Sequence, residues 1–159
     1  MYINSDFSRL EIDLNGCLKN YRYFRSKLED STKLLVLVKA NAYGHGAVEF
    51  ASLMEEAGAD YLAVAYPIEG IELRQAGIKS PVIVLTAGTD SFEQIVNYGL
   101  EPGIPNLFSL KELCKVLEKR GVSDFPIHIK LDTGMHRLGF MTDEIAELQE
   151  FLKDCRHVR

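Results

Sequence analysis

The sequence predicts an α/β fold of parallel strands covered by helices, and three observations carry that reading. Short apolar runs alternate with stretches of helical spacing five times between residues 33 and 154. The first of these runs, Leu34 to Val38, is unbroken rather than alternating, which is the pattern of a strand covered on both faces. Gly58, Gly77, Gly99 and Gly121 fall where the helical stretches should stop.

Taken in order, Ser8-Arg9-Leu10-Glu11-Ile12-Asp13-Leu14 alternates polar and apolar residues and reads as a half-buried strand. Asn15 is expected to cap a helix running to about Leu28, with Leu18, Tyr21, Phe24, Arg25 and Leu28 on one stripe. Strands follow near 33–38, 60–65, 81–86, 100–104 and 126–131, with helices near 46–57, 67–76, 91–98, 109–120 and 142–154. Pro67 suits a first helical turn, Asp90-x-x-Glu93 and Ser109-x-x-Glu112 are capping-box patterns, and Thr142-Asp143-Glu144 places a cap and acids at a helix start. Units at this spacing need parallel pairing with right-handed crossovers. His157-Val158-Arg159 begins a sixth strand. A closed eight-stranded barrel needs roughly 250 residues, so the expected fold is a partial (β/α)8 TIM-type barrel, about five βα units of eight, with an extra N-terminal strand and helix. The runner-up is an autonomous open α/β sheet. No linker or repeat divides the chain, so residues 1–159 are read as a single domain.

The composition, 47% hydrophobic and 26% charged over 159 residues, is that of a globular chain with one core. No apolar run approaches the roughly 18 residues of a membrane span, and no basic-then-apolar leader is present, so a cytoplasmic location is the default expectation. Cys17, Cys114 and Cys155 are odd in number and widely spaced, which argues for reduced thiols and against a disulfide framework or a zinc site. The net charge of -5, with signs interspersed, leaves no footprint for nucleic acid.

Chemistry concentrates in two stretches. In Val36-Leu37-Val38-Lys39-Ala40-Asn41-Ala42-Tyr43-Gly44-His45-Gly46 a strand delivers one lysine into a turn of small residues. Strand ends of α/β folds are where ligands bind, and a lysine amine partly removed from water there is a nucleophile for aldehydes such as pyridoxal phosphate (PLP). Tyr43 lies past the turn, placed to aim its hydroxyl back at an anion; the bland alternative has both side chains solvated. In the second stretch, Pro126 to Phe140, Lys130 and Asp132 alternate with Ile129 and Leu131 and so project to one face. Asp132 is expected to hold Lys130, with Arg137 reaching an anionic oxygen; the bland alternative is a structural ion pair beside a solvated arginine. His45 and His136 read as surface residues, and His128 as a candidate interior one.

Val-Lys-Ala-Asn-Ala-Tyr-Gly-His-Gly closely resembles the PLP-attachment motif of the bacterial alanine racemases, and Lys-x-Asp-Thr-Gly-Met-x-Arg-x-Gly resembles their second motif at every defined position. The opening Arg-x-Glu-Ile-Asp-Leu also resembles the start of that family. The resemblance implies Lys39 as the PLP-bearing base, Arg137 on the cofactor's phenolic oxygen, Lys130 as a site of carbamylation and Tyr43 as a further cofactor contact. It implies interconversion of L- and D-alanine for peptidoglycan precursor supply. In the family a second base comes from the C-terminal β domain of a partner subunit, so this chain is expected to be an N-terminal portion that lacks the remaining barrel units and that domain, and is catalytically incomplete by itself. It is expected to take a small amino acid as substrate and to self-associate, as a homodimer or otherwise. The competing class of function is a non-catalytic α/β module that binds PLP weakly or serves as a folding or interaction unit.

Overall fold

The computed structural model describes residues 10–159. It contains helix α1 (Leu14–Arg25), strand β1 (Leu35–Leu37), helix α2 (Ala47–Glu56), β2 (Tyr61–Val64), α3 (Pro67–Gln75), β3 (Val82–Val84), α4 (Phe92–Asn97), β4 (Glu101–Ile104), α5 (Leu107–Arg120), β5 (His128–Ile129) and α6 (Ile145–Asp154). The five strand–helix units are those expected from the spacing.

All strand pairs are parallel and their order across the sheet is that of the chain, β1-β2-β3-β4-β5. Strand order decides between the two architectures. A doubly wound open sheet reverses direction at a switch point, whereas successive right-handed crossovers without reversal put every helix on one side and curl the sheet into a partial barrel. The sixth strand is also begun: Phe125 N–H donates to His157 O at 2.8 Å and Arg159 N–H to Phe125 O at 3.0 Å.

The ends of the chain depart from the sequence reading. Ser8 and Arg9 lie outside the described residues, and residues 10–13 carry no strand. Asp13, not Asn15, caps α1, accepting the Gly16 N–H at 3.0 Å. The helix stops at Arg25, whose guanidinium turns back onto the Glu29 and Thr32 carbonyls. Of its apolar stripe only Tyr21 is buried, while Phe24 and Leu28 stay exposed, because α1 borders the edge of β1, which no further strand covers among the described residues. Asn106 replaces Ser109 as the cap of α5, accepting Ser109 N–H at 2.9 Å.

Alternation within the strands sorts side chains onto two faces. Leu62, Val64, Val82, Val84 and Ile104 pack with Phe92, Ile95, Leu110, Leu113 and Leu117 of the helices into one core. Ala63, Ile83, Gly103 and Lys130 point the other way, to the concave face, in the register set by Ala63↔Ile83 and Gly103↔His128. At the lower end of this face His128 Nε2 lies 2.7 Å from Glu101 Oε2 and edge-on to Tyr61, so His128 is inward as its alternation with Lys130 suggests.

Phe92 is fully buried between α4 and the sheet. Phe92→Ala should cost about 3–5 kcal/mol, read as a lower denaturant midpoint with unchanged slope; a loss under about 1 kcal/mol would mean that the helical layer repacks freely.

Candidate active site

The upper end of the concave face is organised by the turn after β1. Val38 is buried and its N–H donates to Ala63 O at 2.8 Å, which continues the ladder beyond β1 and delivers Lys39 to the strand end. The next four residues, Ala40, Asn41, Ala42 and Tyr43, all have φ between 50 and 56° and form a left-handed helical turn. In L-residues that conformation costs about 1–2 kcal/mol each, because Cβ crowds the following carbonyl. Gly44 and Gly46, at φ 89 and 88°, carry the chain out of the turn without that cost.

Side chains hold the turn from both sides. Glu69, in the first turn of α3, accepts the Ala40 N–H at 2.6 Å with one oxygen, and the Ala65 and Tyr66 N–H groups at 2.7 and 2.9 Å with the other. It thereby ties the lysine-bearing turn to the end of β2. Asn41 Oδ1 accepts Ala47 N–H at 2.7 Å, linking the same turn to the start of α2, and His45 Nδ1 meets Ala42 O at 2.7 Å. The sequence reading did not single out Glu69. Its only local signal is an acid in the first turn of a helix, a common pattern with no pointer to a turn 29 residues earlier.

Lys39 and Lys130 lie in one cavity of about 420 Å³, together with Arg137, Ala65, Leu85 and Thr86. Two motifs that lie some ninety residues apart therefore meet. Tyr43 is not part of the cavity wall. It is 59% exposed, with its ring centroid 5.9 Å from Lys39 Nζ. Lys130 Nζ donates to Leu85 O at 3.1 Å. Burial, and then the neighbouring Arg137 cation, hold the Lys130 amine below its usual pKa. Gly103 makes room for it: a Cβ there would stand 3.2 Å from Lys130 Cδ and 3.3 Å from Val84 O.

The expected pairing of Asp132 with Lys130 does not form. The strand ends before Asp132, and the chain doubles back so that Phe140 N–H donates to Lys130 O at 2.7 Å and Asp132 N–H to Phe140 O at 2.9 Å. The carboxylate turns into that loop instead. It accepts the Gly134 and His136 N–H groups at 2.9 and 3.0 Å, and these bonds, chiefly that from His136, hold its pKa below the usual carboxylate range. Asp132 thus fixes the loop that carries Arg137. His136 is a largely exposed loop residue, and His45 is likewise exposed.

The cavity thus offers two primary amines and a guanidinium, and among the described residues no carboxylate lines it, a setting for an anionic ligand with an electrophilic carbonyl.

Known proteins resemble this chain in sequence and in fold. The family model described as alanine racemase, N-terminal domain, matches residues 12–159. An alanine racemase of Synechocystis is 42% identical over 152 residues, covering 94% of this chain and 41% of the relative. Alanine racemase 2 of Bacillus subtilis is 37% identical over 153 residues, covering 94% and 39%. Among solved structures, alanine racemase from Clostridium difficile superposes with a TM-score of 0.83 at 34% identity, covering 89% of this chain and 38% of that one. The enzyme from Bacillus anthracis with bound L-Ala-P gives 0.83 at 28% identity, covering 93% and 38%. The chain spans about two fifths of the length of the curated relatives it matches. Its strand order, its two motifs and the match over residues 12–159 lead to one assignment: the chain belongs to the alanine racemase N-terminal domain family.

Proposed function

We propose that this chain is the PLP-binding barrel portion of an alanine racemase, a cytoplasmic enzyme that interconverts L- and D-alanine to supply cell-wall precursors. The observation that carries the reading is the meeting of Lys39, Lys130 and Arg137 at one cavity in a chain of this family. Alanine as substrate is taken from the names of the relatives, and the relative solved with L-Ala-P supports an amino-acid-like ligand in such a site. The activity belongs to the longer protein, of which the chain covers about two fifths in its relatives.

The residues fit PLP. The cavity is within the size range of small-molecule sites, one amine is available for covalent attachment, and the surplus of positive charge suits an anionic aromatic aldehyde. When bound, PLP supplies an electron sink that allows a proton to leave the substrate Cα. Lys39 Nζ would hold the cofactor through its aldehyde carbon and, once displaced by the substrate amine, serve as proton acceptor and donor on one face. Arg137 would donate to the phenolic oxygen, with its loop fixed by Asp132. Tyr43, beside Lys39 at the rim, would be a further cofactor contact. The opposite face we assign to a partner subunit in a homodimer, in keeping with the family resemblance.

Glu69 positions Lys39 rather than touching the reacting atoms, because its three backbone hydrogen bonds end on the turn and on the end of β2. Lys130 we propose to be carbamylated. A neutral amine adds to carbon dioxide with loss of one proton, and the resulting anion is complementary to Arg137, where an ammonium is not.

Four measurements test these assignments. Adding PLP should produce a visible absorbance band that borohydride reduction removes and that peptide mapping places on Lys39; Lys39→Ala should abolish it while far-UV dichroism is unchanged, and an adduct on another lysine would sink the assignment. Racemisation of L-alanine, measured on the full-length protein, distinguishes an enzyme from a PLP binder. Glu69→Ala should leave backbone N–H groups unpaired at a cost of about 1–3 kcal/mol and weaken PLP attachment roughly tenfold or more, with Lys39 still the modified residue; attachment at the unmodified rate would restrict Glu69 to stability. In labelled bicarbonate, carbon NMR should show a carbamate resonance that Lys130→Ala removes, and spectra that coincide would exclude the modification.

A further inference from the structure

Between α5 and α6, in a groove that shares no lining residue with the Lys39 cavity, two thiols that lie 41 positions apart in the chain meet in space, Cys114 Sγ and Cys155 Sγ being 3.2 Å apart. Cys114 is buried on α5, and Cys155 is the half-buried C-cap of α6, immediately before the residues that start the sixth strand. Both line an open groove of about 470 Å³ between these helices, together with Leu107, Lys111, Phe151 and His157. Small molecules therefore have access from solvent. Among the described residues no cluster of three or more His, Cys, Asp or Glu side chains is suited to hold a metal ion, so the pair does not read as part of a metal site. All three cysteines are free thiols, yet α5 and the end of α6 bring two of them together and leave Cys17 on α1 elsewhere.

We propose that Cys114 and Cys155 form a dithiol site that closes to an intramolecular disulfide by exchange with a low-molecular-weight disulfide such as oxidised glutathione. The Cys155 thiolate attacks one sulfur of the reagent, breaks its S–S bond and releases one glutathione thiolate. Cys114 then attacks the Cys155 sulfur of the mixed disulfide and releases the second. Both cysteine protons end on the two glutathione thiols, so two protein thiols are oxidised and one disulfide is reduced. The order of attack follows from the environment: burial, and then the neighbouring Cys155, push the Cys114 thiol up to about 12, so the more open Cys155 reacts first and Cys114 resolves. The sulfurs are already in contact on two well-packed helices, and closure needs only a small approach. The bond would fasten α5 to the root of the sixth strand.

The test uses the full chain carrying Cys17→Ser, incubated with oxidised glutathione near neutral pH and mapped without reduction. The expected product joins Cys114 to Cys155, retains no glutathione, and melts roughly 10 °C higher until a dithiol reductant reverses it, because a loop of this length is closed. Cys114→Ser in the same background should stop at a glutathione adduct on Cys155. Glutathione persisting on Cys155 in the chain that keeps both cysteines, or both thiols remaining free to alkylation after unfolding, would overturn the proposal. Mapping of the two-cysteine chain decides the matter even where the variant does not fold.

Discussion

The site depends on one constraint, the left-handed turn that follows Lys39. Four consecutive non-glycine residues near φ 50° make an arrangement that a free chain avoids, and it persists only where the surroundings over-determine it. Glu69 supplies much of that determination, since one carboxylate binds the turn and the neighbouring strand end together. The bonds carry the charge of the acceptor and are stronger than neutral ones. Strain is thereby concentrated where Lys39 must be presented in one orientation.

The sheet supplies the second requirement, a common face. Chain-order pairing with one-sided helices makes every inward residue at the upper rim point toward the same axis. Lys39 follows β1 and Lys130 follows β5, yet both reach one cavity because the intervening strands curl between them. Gly103 on that face leaves the space that the Lys130 side chain occupies. At its lower end the same face is closed by the His128–Glu101 contact and the Tyr61 ring.

Electrostatics complete the cavity by excluding counter-charges from it. Asp132, the nearest carboxylate in sequence to Lys130, is turned away and satisfied by backbone N–H groups of the loop. Lys130 and Arg137 consequently share the cavity as like charges; burial first, and then the Arg137 cation, lowers the Lys130 pKa, and the cavity is receptive to anions. The same bonds that take Asp132 out of the cavity organise the loop bearing Arg137, so one carboxylate both removes a competing charge and positions a cation.

What the sequence by itself determined was the content of local rules. The five strand–helix units, the glycines at helix ends and the start of a sixth strand follow from periodicity and turn chemistry, and Lys39, Lys130 and Arg137, which meet at one cavity, stand in two contiguous motifs, whereas Tyr43 of the first motif lies outside the cavity wall. Where local rules compete, the reading slipped. Asp13 outdid Asn15 as a cap, and Asp132 found backbone donors two and four residues on before it could reach Lys130. Only the tertiary structure decided the role of Glu69, the space above Gly103, the cavity shared by Lys39 and Lys130, and the meeting of Cys114 with Cys155. Each of these joins residues 27 or more positions apart, and such contacts are set by how parallel strands register and helices pack rather than by any pattern within a short window of sequence.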